Sequence, residues 1–501
     1  MTHRVLLRGA CALRGEELAF DAQPLDVLIE GERIVSIGST GTVTACDEIV
    51  DLGGHLLVPG IVNGHFHSHE HFSKGRTENL PLEVWMPQMR SALTVPMTPR
   101  QTYLRTLVGA LEALHTGTTT VVDDLILGPR IERENLEAVF QAYEDAGIRA
   151  LVGFAMMNRP VVDNFPFVKE VFSDSLIAEL RAMPIPSERQ YLDLCTELAR
   201  SRHPQSRRVG ILVSASAPQR CTGDFLLACR RLADDHGLPA ITHVQETRLQ
   251  VVTGGMFYGS PMVEYLDRIG FLAPKTSLIH AVWLNPREIA ALARTGATAQ
   301  HNPWSNLTLG SGVQPVRELL EAGVNVSMGS DGTCSTVTAN MLTVLGSAAA
   351  LSKIRGDDYS RWLSAREALT AATQGGARAL GFEDKLGVLK PGALADVVAY
   401  RLDTSTFSPL NDPVRQLVYA ERGAGVDFAM VAGRPVMRGG RLLGIDESRI
   451  LDEISAEHTR LVEQLDRAAA AVAPVVAAME EIYRRSLATA IPPDTFPARL
   501  P

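Results

Sequence analysis

The stretch from about residue 60 to residue 385 constrains the fold most, because one pattern repeats along it. Short apolar runs alternate with segments of helical periodicity, which is typical of parallel βα units. With GHLLVPGIVNG as the first strand, the later strands are TTTVVDD, IRALVGFAMM, RVGILVSASAP, LPAITHV, TSLIHAVW, ATAQHN and VNVSMGSDG. Eight such units favour an α/β fold of the (β/α)8 TIM-barrel type. A doubly wound open sheet is the alternative that the pattern alone leaves open.

The two ends of the chain have a different character from its middle. Residues 1–58 read as short strands between turns, and strand character returns in residues 386–445. We expect these two segments to form one small composite β-sandwich domain beside a barrel of residues 59–385. Residues 446–501 are expected to form a helical tail that packs on its own barrel or on a second subunit. A homodimer or a higher homo-oligomer is the expected assembly.

The composition excludes several classes of function. The 501 residues are 46% hydrophobic, which is enough to bury a large core. The net charge of −9 offers no basic footprint for nucleic acid, and no apolar run approaches the ~20 residues that span a bilayer. The six cysteines include no CxxC pair, so they indicate neither a thiolate zinc site nor a disulfide framework. Together with the lack of a signal peptide, this predicts a cytoplasmic protein without nucleic-acid or membrane partners.

Polar residues stand at the carboxyl ends of most predicted strands, where a barrel carries its active site. His65 and His67 end the first strand two residues apart, so their side chains point the same way, about 6.6 Å apart along the strand. His243 ends the fifth strand and Asp331 ends the eighth. Imidazole and carboxylate ligands suit Zn²⁺ or Fe²⁺, and a catalytic zinc site needs few protein ligands and an open position. These four side chains can supply such a site.

Each of these residues also has a plain structural interpretation. A single histidine at a strand end is usually a polar residue satisfied by hydrogen bonds, and Asp331 in SDG fits turn chemistry. The convergence of several strand ends weighs against that interpretation. Glu246, three residues after His243, can fold back over an ion and move a proton between water and substrate. As a surface residue at the start of a helix, Glu246 would have no such role.

The segment NGHFHSHEHF contains four of the 13 histidines of the chain. Its spacing alone allows three different His-x-His pairs. The preceding Pro-Gly dipeptide sets the register and selects His65 and His67, at the end of the first barrel strand. His69 and His71 then fall in the loop beyond it, where we expect a place in the pocket wall or no catalytic role.

Together these motifs resemble the amidohydrolase superfamily, in its branch of cytosine-deaminase-like, adenosine-homologue and triazine-ring hydrolases. The resemblance rests on VPGIVNGHFH, LPLEVW, GTTTVVD, THVQET, SLIHAVWL, HNPWSNLTLGSG, VSMGSDG and LGVLKPGALADVV. These segments occur in the expected order from about residue 55 to residue 400. The resemblance implies a barrel that holds a divalent metal ion, with Zn²⁺ favoured and Fe²⁺ as the alternative. It implies one ion, because no lysine matches the carbamylated bridging ligand of two-metal relatives.

The resemblance also implies roles for individual residues. The positions that match metal ligands are His65, His67, His243 and Asp331. His280, at the end of the sixth strand, matches the residue that orients the water bound to the metal. Glu246 matches the proton shuttle, and Asp331 helps to deprotonate the water as well as binding the metal.

The reaction implied by this resemblance is hydrolytic deamination. Hydroxide attacks a ring carbon beside a nitrogen that Glu246 has protonated, and the amine leaves. The substrate would be an amino-substituted N-heterocycle, namely a purine, pterin, pyrimidine or triazine, with release of ammonia. The same site could instead hydrolyse an N-alkylamine, a chlorotriazine, or an aryl amide or urea. An inactive scaffold is the remote alternative, because such a relative would be expected to have lost ligands and none is lost here.

Four aromatic residues are candidate substrate contacts. Trp85, Trp283 and Trp304 fall in or beside motif segments, and each can stack on a flat heterocycle. Packing at the barrel rim is the alternative for these tryptophans. His301 matches a substrate contact of the family. The segment HSHEHFSKGRTEN departs from the form typical of purine-nucleoside deaminases, which argues against a nucleoside substrate.

Overall fold

The structure is a computed structural model that describes residues 3–41, 43, 45–128 and 131–499. In chain order its strands are β1 (Arg4–Arg14), β2 (Ala19–Glu30), β3 (Arg33–Ser39), β4 (Glu48–Asp51), β5 (His55–Pro59), β6 (Ile61–His67), β7 (Thr118–Leu125), β8 (Arg149–Phe154), β9 (Val209–Ile211), β10 (Val213–Ser214), β11 (Ala240–Val244), β12 (Thr276–His280), β13 (Thr298–His301), β14 (Asn325–Met328), β15 (Asp331–Gly332), β16 (Val397–Arg401), β17 (Val426–Val431), β18 (Arg434–Arg438) and β19 (Arg441–Leu442).

The α-helices lie mostly between the barrel strands and at the carboxyl end of the chain. They are α1 (Leu82–Ala92), α2 (Pro99–His115), α3 (Arg133–Ala146), α4 (Val168–Val171), α5 (Asp174–Arg181), α6 (Glu188–Ser201), α7 (Gly223–His236), α8 (Arg248–Tyr258), α9 (Met262–Arg268), α10 (Pro286–Thr295), α11 (Pro303–Thr308), α12 (Val316–Glu321), α13 (Thr333–Thr336), α14 (Met341–Leu351), α15 (Ala365–Thr370), α16 (Gly376–Ala379), α17 (Pro413–Tyr419), α18 (Glu447–Ala471) and α19 (Ala473–Ala488). Among the described residues, no helix combines the length and the apolar character that a membrane crossing requires.

Strands β6 to β15 close into a barrel with eight strand positions. The fourth position is divided between β9 and β10 and the eighth between β14 and β15, so each half pairs with a different neighbour, always in parallel. Asn63 fastens the closure, because its amide nitrogen donates to Ser330 Oγ at 2.8 Å and its oxygen accepts from Ser330 N at 3.0 Å. The predicted (β/α)8 barrel is thereby confirmed, and the open sheet is excluded.

Gly60 separates two strands that the sequence analysis joined as one, GHLLVPGIVNG. Strand β5 pairs with β1 and β16 in the composite sheet, whereas β6 pairs with β7 in the barrel. A Cβ at residue 60 would lie 2.0 Å from Thr119 Oγ1, so only glycine lets the chain pass this close to β7. The first barrel strand is therefore Ile61–His67 alone, and the chain changes sheets at Gly60.

The composite domain is one hydrogen-bonded sheet of nine strands drawn from both parts of the chain, which confirms the predicted pairing of the two ends. Its order is β19-β18-β17-β16-β5-β1-β2-β3, with β4 beside β1. Leu7 of β1 and Met430 of β17 belong to one buried apolar cluster, which ties the two segments together. The run LGVLKPGALAD ahead of β16 forms only an isolated bridge between Leu394 and Arg33, since it is interrupted by turns around its one proline and its two glycines. The domain boundaries stay a prediction.

The helical tail folds back over its own barrel. Helix α18 packs against α1 and α2, and α19 packs against α1, α4 and α8, with Met479 and Ile482 fully buried. Beyond α19 the chain continues across the carboxyl side of the barrel. There Phe496 N donates to Leu284 O and Val313 N donates to Ala498 O, both at 2.8 Å. The predicted helical tail is confirmed, and it covers its own barrel in this chain.

Candidate active site

The predicted metal-site residues meet at the carboxyl end of the barrel. His65 and His67 each bring Nε2 close to Asp331 Oδ1, at 3.2 and 3.3 Å. His280 Nε2 lies 3.8 Å from Asp331 Oδ2, and the ring centroids of His243 and His65 are 4.9 Å apart. Two sets of residues each have potential ligand atoms within 4.8 Å of one another. They are His65 with His67 and His243, and His65 with His280 and Asp331. His65 belongs to both sets and therefore stands at the centre of the site.

Hydrogen bonds on the outer side of two rings orient them toward this centre. His67 Nδ1 donates to Asp124 O at 2.6 Å, and His243 Nδ1 donates to Ser216 O at 3.0 Å. A carbonyl oxygen can only accept, so Nδ1 carries the proton in each bond. Nε2 is then left to face the centre of the site, which is the usual arrangement for metal-binding histidines.

The burial and the hydrogen bonding of the His65 ring indicate whether a metal ion fits this site. Its side chain is fully buried, and Nδ1 has no hydrogen-bond partner among the described residues. Nε2 lies 3.2 Å from Asp331 Oδ1 but without the geometry of a hydrogen bond. Burial, with His67 nearby, lowers the pKa of His65 to about 4, so the ring is neutral at physiological pH. Buried polar atoms are almost always partnered, so a neutral imidazole with an unused lone pair beside a carboxylate indicates a missing ligand. Divalent Zn²⁺ or Fe²⁺ fits this donor set.

Glu246 stands where a proton shuttle is needed. Its Oε2 lies 3.6 Å from His280 Nε2, and Ser311 Oγ donates to its Oε1 at 3.5 Å. Burial, reinforced by the charge of Asp331, raises the pKa of Glu246 well above its usual value. A carboxyl group whose pKa is raised holds its proton more tightly than an exposed one, and it can give that proton to a substrate and take one back. His280 is itself held in place, because its Nδ1 donates to Asn306 Oδ1 at 2.9 Å.

The strands that carry these groups end in backbone that L-residues seldom adopt. The φ angle is +71° at His280, +64° at Asp331 and +46° at Gln245, which precedes Glu246. Such left-handed conformations cost on the order of 1–3 kcal/mol each and persist only where the surrounding structure imposes them. They turn the chain sharply at three barrel strand ends, which is where the site lies.

Glu70 is a member of the site that the sequence analysis missed. It lies between the two later histidines of NGHFHSHEHF and is 2% exposed. It lines the cavity that also contains His67, His243 and Asp331, which we call the metal cavity. Its Oε2 accepts from Cys334 N at 3.0 Å, and burial raises its pKa to about 7. Gly332 makes room for this carboxyl, since a Cβ there would lie 1.9 Å from Glu70 Oε2. The glycine of SDG is therefore explained by close approach, a signal that exists only in three dimensions.

Two arginines also line the cavity, and no motif marks either of them. Arg220, from the loop after β10, is 8% exposed and donates to Ser216 Oγ and to Met86 Sδ, both at 3.2 Å. Arg90, from α1, donates to Met157 Sδ at 3.2 Å, and burial lowers its pKa to about 9. Within the part of the chain that the structure describes, neither guanidinium forms an ion pair with a carboxylate.

The metal cavity, including its open mouth, has a volume of about 490 Å³. One of the three predicted tryptophans lines it. Trp85 lines the cavity, and its Nε1 has no partner among the described residues. Trp283 and Trp304 lie outside it, where their Nε1 atoms donate to Ser311 O at 2.9 Å and to Thr336 O at 3.1 Å. Packing at the rim, the alternative that the sequence left open, describes these two residues.

His301 lines a different cavity from the metal cavity, and its role as a substrate contact stays a prediction. It is buried at the end of β13 and borders a separate cavity with Gln314 and Arg355. Consecutive residues of a strand point in opposite directions. Gln300, its neighbour, accepts a hydrogen bond from Ser327 Oγ of the adjacent strand. His301 thus borders a different cavity from the one that His67, His243 and Asp331 line.

The second histidine pair of NGHFHSHEHF lies in a 3-10 helix, Ser68–Ser73, and is divided between two environments. His69 lines the metal cavity and accepts a hydrogen bond from Ile126 N at 3.2 Å. His71 turns into the core, where its ring centroid lies 5.1 Å from that of Phe66. The expectation of a pocket-wall residue agrees with the position of His69.

Comparison with known proteins decides the family. Residues 56–436 match the amidohydrolase family. The chain belongs to the amidohydrolase family. The 5-methylthioadenosine/S-adenosylhomocysteine deaminase of Thermococcus kodakarensis is 32% identical over 433 residues, which are 86% of this chain and 94% of that protein. The 5'-deoxyadenosine deaminase of Methanothermobacter thermautotrophicus is 32% identical over 435 residues, 87% of this chain and 94% of that protein.

Solved structures share the same architecture. An adenosine deaminase from Xanthomonas campestris with bound zinc has a TM-score of 0.81 at 26% identity, covering 92% of this chain and 98% of that one. An atrazine chlorohydrolase from Arthrobacter aurescens in complex with zinc has a TM-score of 0.82 at 25% identity, covering 91% and 100%. The predictions of this family, of its fold and of a metal-dependent hydrolase acting on non-peptide carbon–nitrogen bonds are therefore confirmed. The identity of the metal stays a prediction.

Proposed function

We propose that this amidohydrolase is an aminohydrolase that removes the exocyclic amine of an N-heterocycle as ammonia. One observation carries the proposal. A buried carboxyl with a raised pKa, Glu246, stands 3.6 Å from His280 at the edge of a cluster of metal-ligand groups. Hydrolysis of an amine on a heterocycle needs a proton at a ring nitrogen and an activated water at the adjacent carbon. An acid beside a metal site supplies both within one cavity.

We assign one divalent ion to this site, Zn²⁺ in the first place and Fe²⁺ as the alternative. The residues that would hold it are His65, His67, His243 and Asp331. When bound, such an ion lowers the pKa of a coordinated water toward ~7 and so provides a nucleophile at neutral pH.

The residues of the chain then move the protons. Glu246 donates its proton to the ring nitrogen, which makes the adjacent carbon electrophilic. His280 orients the attacking water, and Asp331 takes a proton from that water. Asp331 Oδ2 lies 3.8 Å from His280 Nε2. The proton on Asp331 passes to the departing amine, which leaves as ammonia. Glu246 recovers a proton from the new hydroxyl group as the product becomes a lactam, so both acids return to their starting states.

The adenine ring of a 5'-substituted nucleoside is our first candidate substrate. It is supported by the relatives at 32% identity, which are named as deaminases of such nucleosides. The departure in HSHEHFSKGRTEN weighs against a nucleoside, so aminopurines, pterins, aminopyrimidines and triazines belong in the same panel. We propose that Trp85 stacks on the ring, because it is the predicted aromatic contact that lines the cavity. A cytoplasmic location and a homo-oligomeric state are further parts of the proposal.

The deciding experiment measures ammonia release from this panel by the metal-replete protein, with Glu246→Gln as the matched control that retains every ligand. Release from at least one member, with a loss of about 100-fold or more in the variant, would support the proposal. Turnover of a chlorotriazine, an aryl amide or an aryl urea without ammonia from any amino heterocycle would replace it with the alternative reaction. Absence of both turnover and stoichiometric metal would favour the scaffold.

A further inference from the structure

A second cavity adjoins the metal cavity, and we call it the annex. It has a volume of about 1690 Å³ including its open mouth, and it lies between α1, the segment 155–186 and α19. Its lining is largely apolar and includes Met157, Phe165, Phe172, Met183, Val475 and Met479. Concave apolar surfaces of this extent on soluble proteins mark binding sites more often than incidental gaps.

The annex and the metal cavity share four lining residues, Met86, Arg90, Ile126 and Ala155. Met86 and Arg90 are four residues apart on α1, so they lie on the same face of that helix. Met86 Sδ accepts from Arg220, and Arg90 donates to Met157 Sδ, both at 3.2 Å. Two of the four residues at the boundary between the cavities are therefore side chains of α1.

The walls of the annex are built into the fold. Val162, Phe172 and Met479 line it and also belong to one buried apolar cluster that joins the segment 155–186 to α19. These residues are between 1% and 6% exposed, so the floor is packed from behind. The annex is thus a fixed feature of this chain, contributed by its helical tail and by the long connection after β8.

The charge of the annex differs from that of the metal cavity. Among its described lining residues there is no carboxylate, and its charged members are Arg90 and Arg159. The guanidinium of Arg159 is occupied by backbone oxygens, since it donates to Gln219 O and Asp163 O, both at 3.2 Å. An ammonium group placed in the annex would find no counter-charge, whereas alkyl or aryl carbon would be buried against matching surface.

We propose that the annex binds a large apolar substituent, alkyl or aryl, of the substrate whose ring is held in the metal cavity. This inference rests on the proposed function for the ring and adds the chemical class of what the ring carries. Each methylene buried in such a site should raise kcat/KM about three- to fourfold until the annex is filled. A substituent that ends in an ammonium group should gain less than an alkyl group of similar length, because the described lining offers it no carboxylate.

The test uses the metal-replete protein and a series of 5'-alkylthio-5'-deoxyadenosines from methyl to hexyl, with the 5'-(6-aminohexylthio) compound, which ends in an ammonium group, as the charged comparison. Both kcat/KM for ammonia release and Kd by titration calorimetry are measured. We expect kcat/KM to rise by at least about 30-fold from methyl to hexyl. A flat or falling series would overturn the inference.

Two variants test the location of the effect. Val475→Glu and Met183→Glu each place a carboxylate in the annex, and Met183 is 48% exposed, so its replacement should not prevent folding. Both should reduce the advantage of hexyl over methyl by about tenfold or more while leaving the methyl compound unchanged. Val476→Glu is the matched control, because this neighbour on α19 is not among the described lining residues. An equal loss in the control would overturn the assignment to the annex.

The two readouts separate this inference from the proposed function. Ammonia released at equal rates from all members would leave the reaction standing and reject the annex as the binding site. No ammonia, but a Kd that falls with chain length and is reversed by Val475→Glu, would leave the annex standing and reject the reaction. Neither ammonia nor a trend in Kd would reject both.

Discussion

The two histidine pairs of NGHFHSHEHF have the same spacing, but the side chains of one pair converge and those of the other diverge. His65 and His67 belong to β6, where residues two apart point to one side, and both reach Asp331. His69 and His71 lie in a 3-10 helix with about three residues per turn, so residues two apart point in different directions. One lines the cavity and the other enters the core. The comparison teaches that this spacing specifies a pair of ligands only where the backbone is a strand.

Removal of His65 should produce the largest effect, because it belongs to both sets of ligand groups. Removing a residue that only hydrogen-bonds to a metal ligand weakens metal affinity roughly 10–100-fold. For His65→Ala we expect a larger loss of metal affinity and turnover below detection. Metal per chain, measured by elemental analysis after dialysis, checks this. His71→Ala is the control from the second pair and should keep its metal. Equal metal loss in both variants would erase the distinction between the pairs.

Glu246→Gln should separate catalysis from metal binding. The amide has nearly the same shape as the acid but cannot shuttle a proton, so we expect a loss of about 10²–10⁴-fold in kcat with metal content unchanged. Steady-state kinetics together with elemental analysis of the same preparation check this. A near-normal rate would remove Glu246 from the mechanism, and a loss of metal would move it into the ligand set.

His71 should lower the free energy of unfolding at acid pH. Burial, with Lys74 nearby, lowers its pKa from 6.5 to about 4 in the folded chain. The unfolded chain then binds a proton below pH 6.5 that the folded chain refuses, so stability falls as the pH drops from 6.5 toward 4. This contribution should reach about 2 kcal/mol at pH 5.

The check is urea unfolding of the wild type and of His71→Gln at pH 7 and pH 5. The difference between their free energies of unfolding should shrink or reverse at pH 5, because the variant lacks the titrating ring. Parallel pH dependences would contradict a buried neutral His71.

His69→Ala should give the smallest effect. The change removes the acceptor of Ile126 N and opens the cavity wall, but it touches neither set of ligand groups. We expect metal to be retained and kcat/KM to stay within about tenfold of the wild type, since one uncharged hydrogen bond contributes about 1 kcal/mol. Kinetics and metal content check it. Metal loss on the scale of His65→Ala would extend the ligand cluster beyond the first pair.

Local signals carried much of the prediction. The alternation of strands and helices favoured the barrel over an open sheet. The positions of His65, His67, His243, His280 and Asp331 at strand ends predicted that they lie together. Where the local signal was ambiguous, the prediction lost accuracy. Gly60 divides what reads as one apolar run. The run gives no sign of this division, because the need for glycine comes from Thr119, which lies 59 residues further along the chain.

The sequence by itself determined the barrel, the family and the strand ends from which the candidate ligands project, because periodicity and short motifs are local properties. Only the tertiary structure decided which side chains share the cavity. Glu70 contacts Cys334 across 264 residues, and the annex needs α1, the segment 155–186 and α19 together. His301 lines a separate cavity with Gln314 and Arg355, although its strand carries it to the same end of the barrel. Such contacts depend on side-chain direction and on packing between distant segments, which no local pattern encodes.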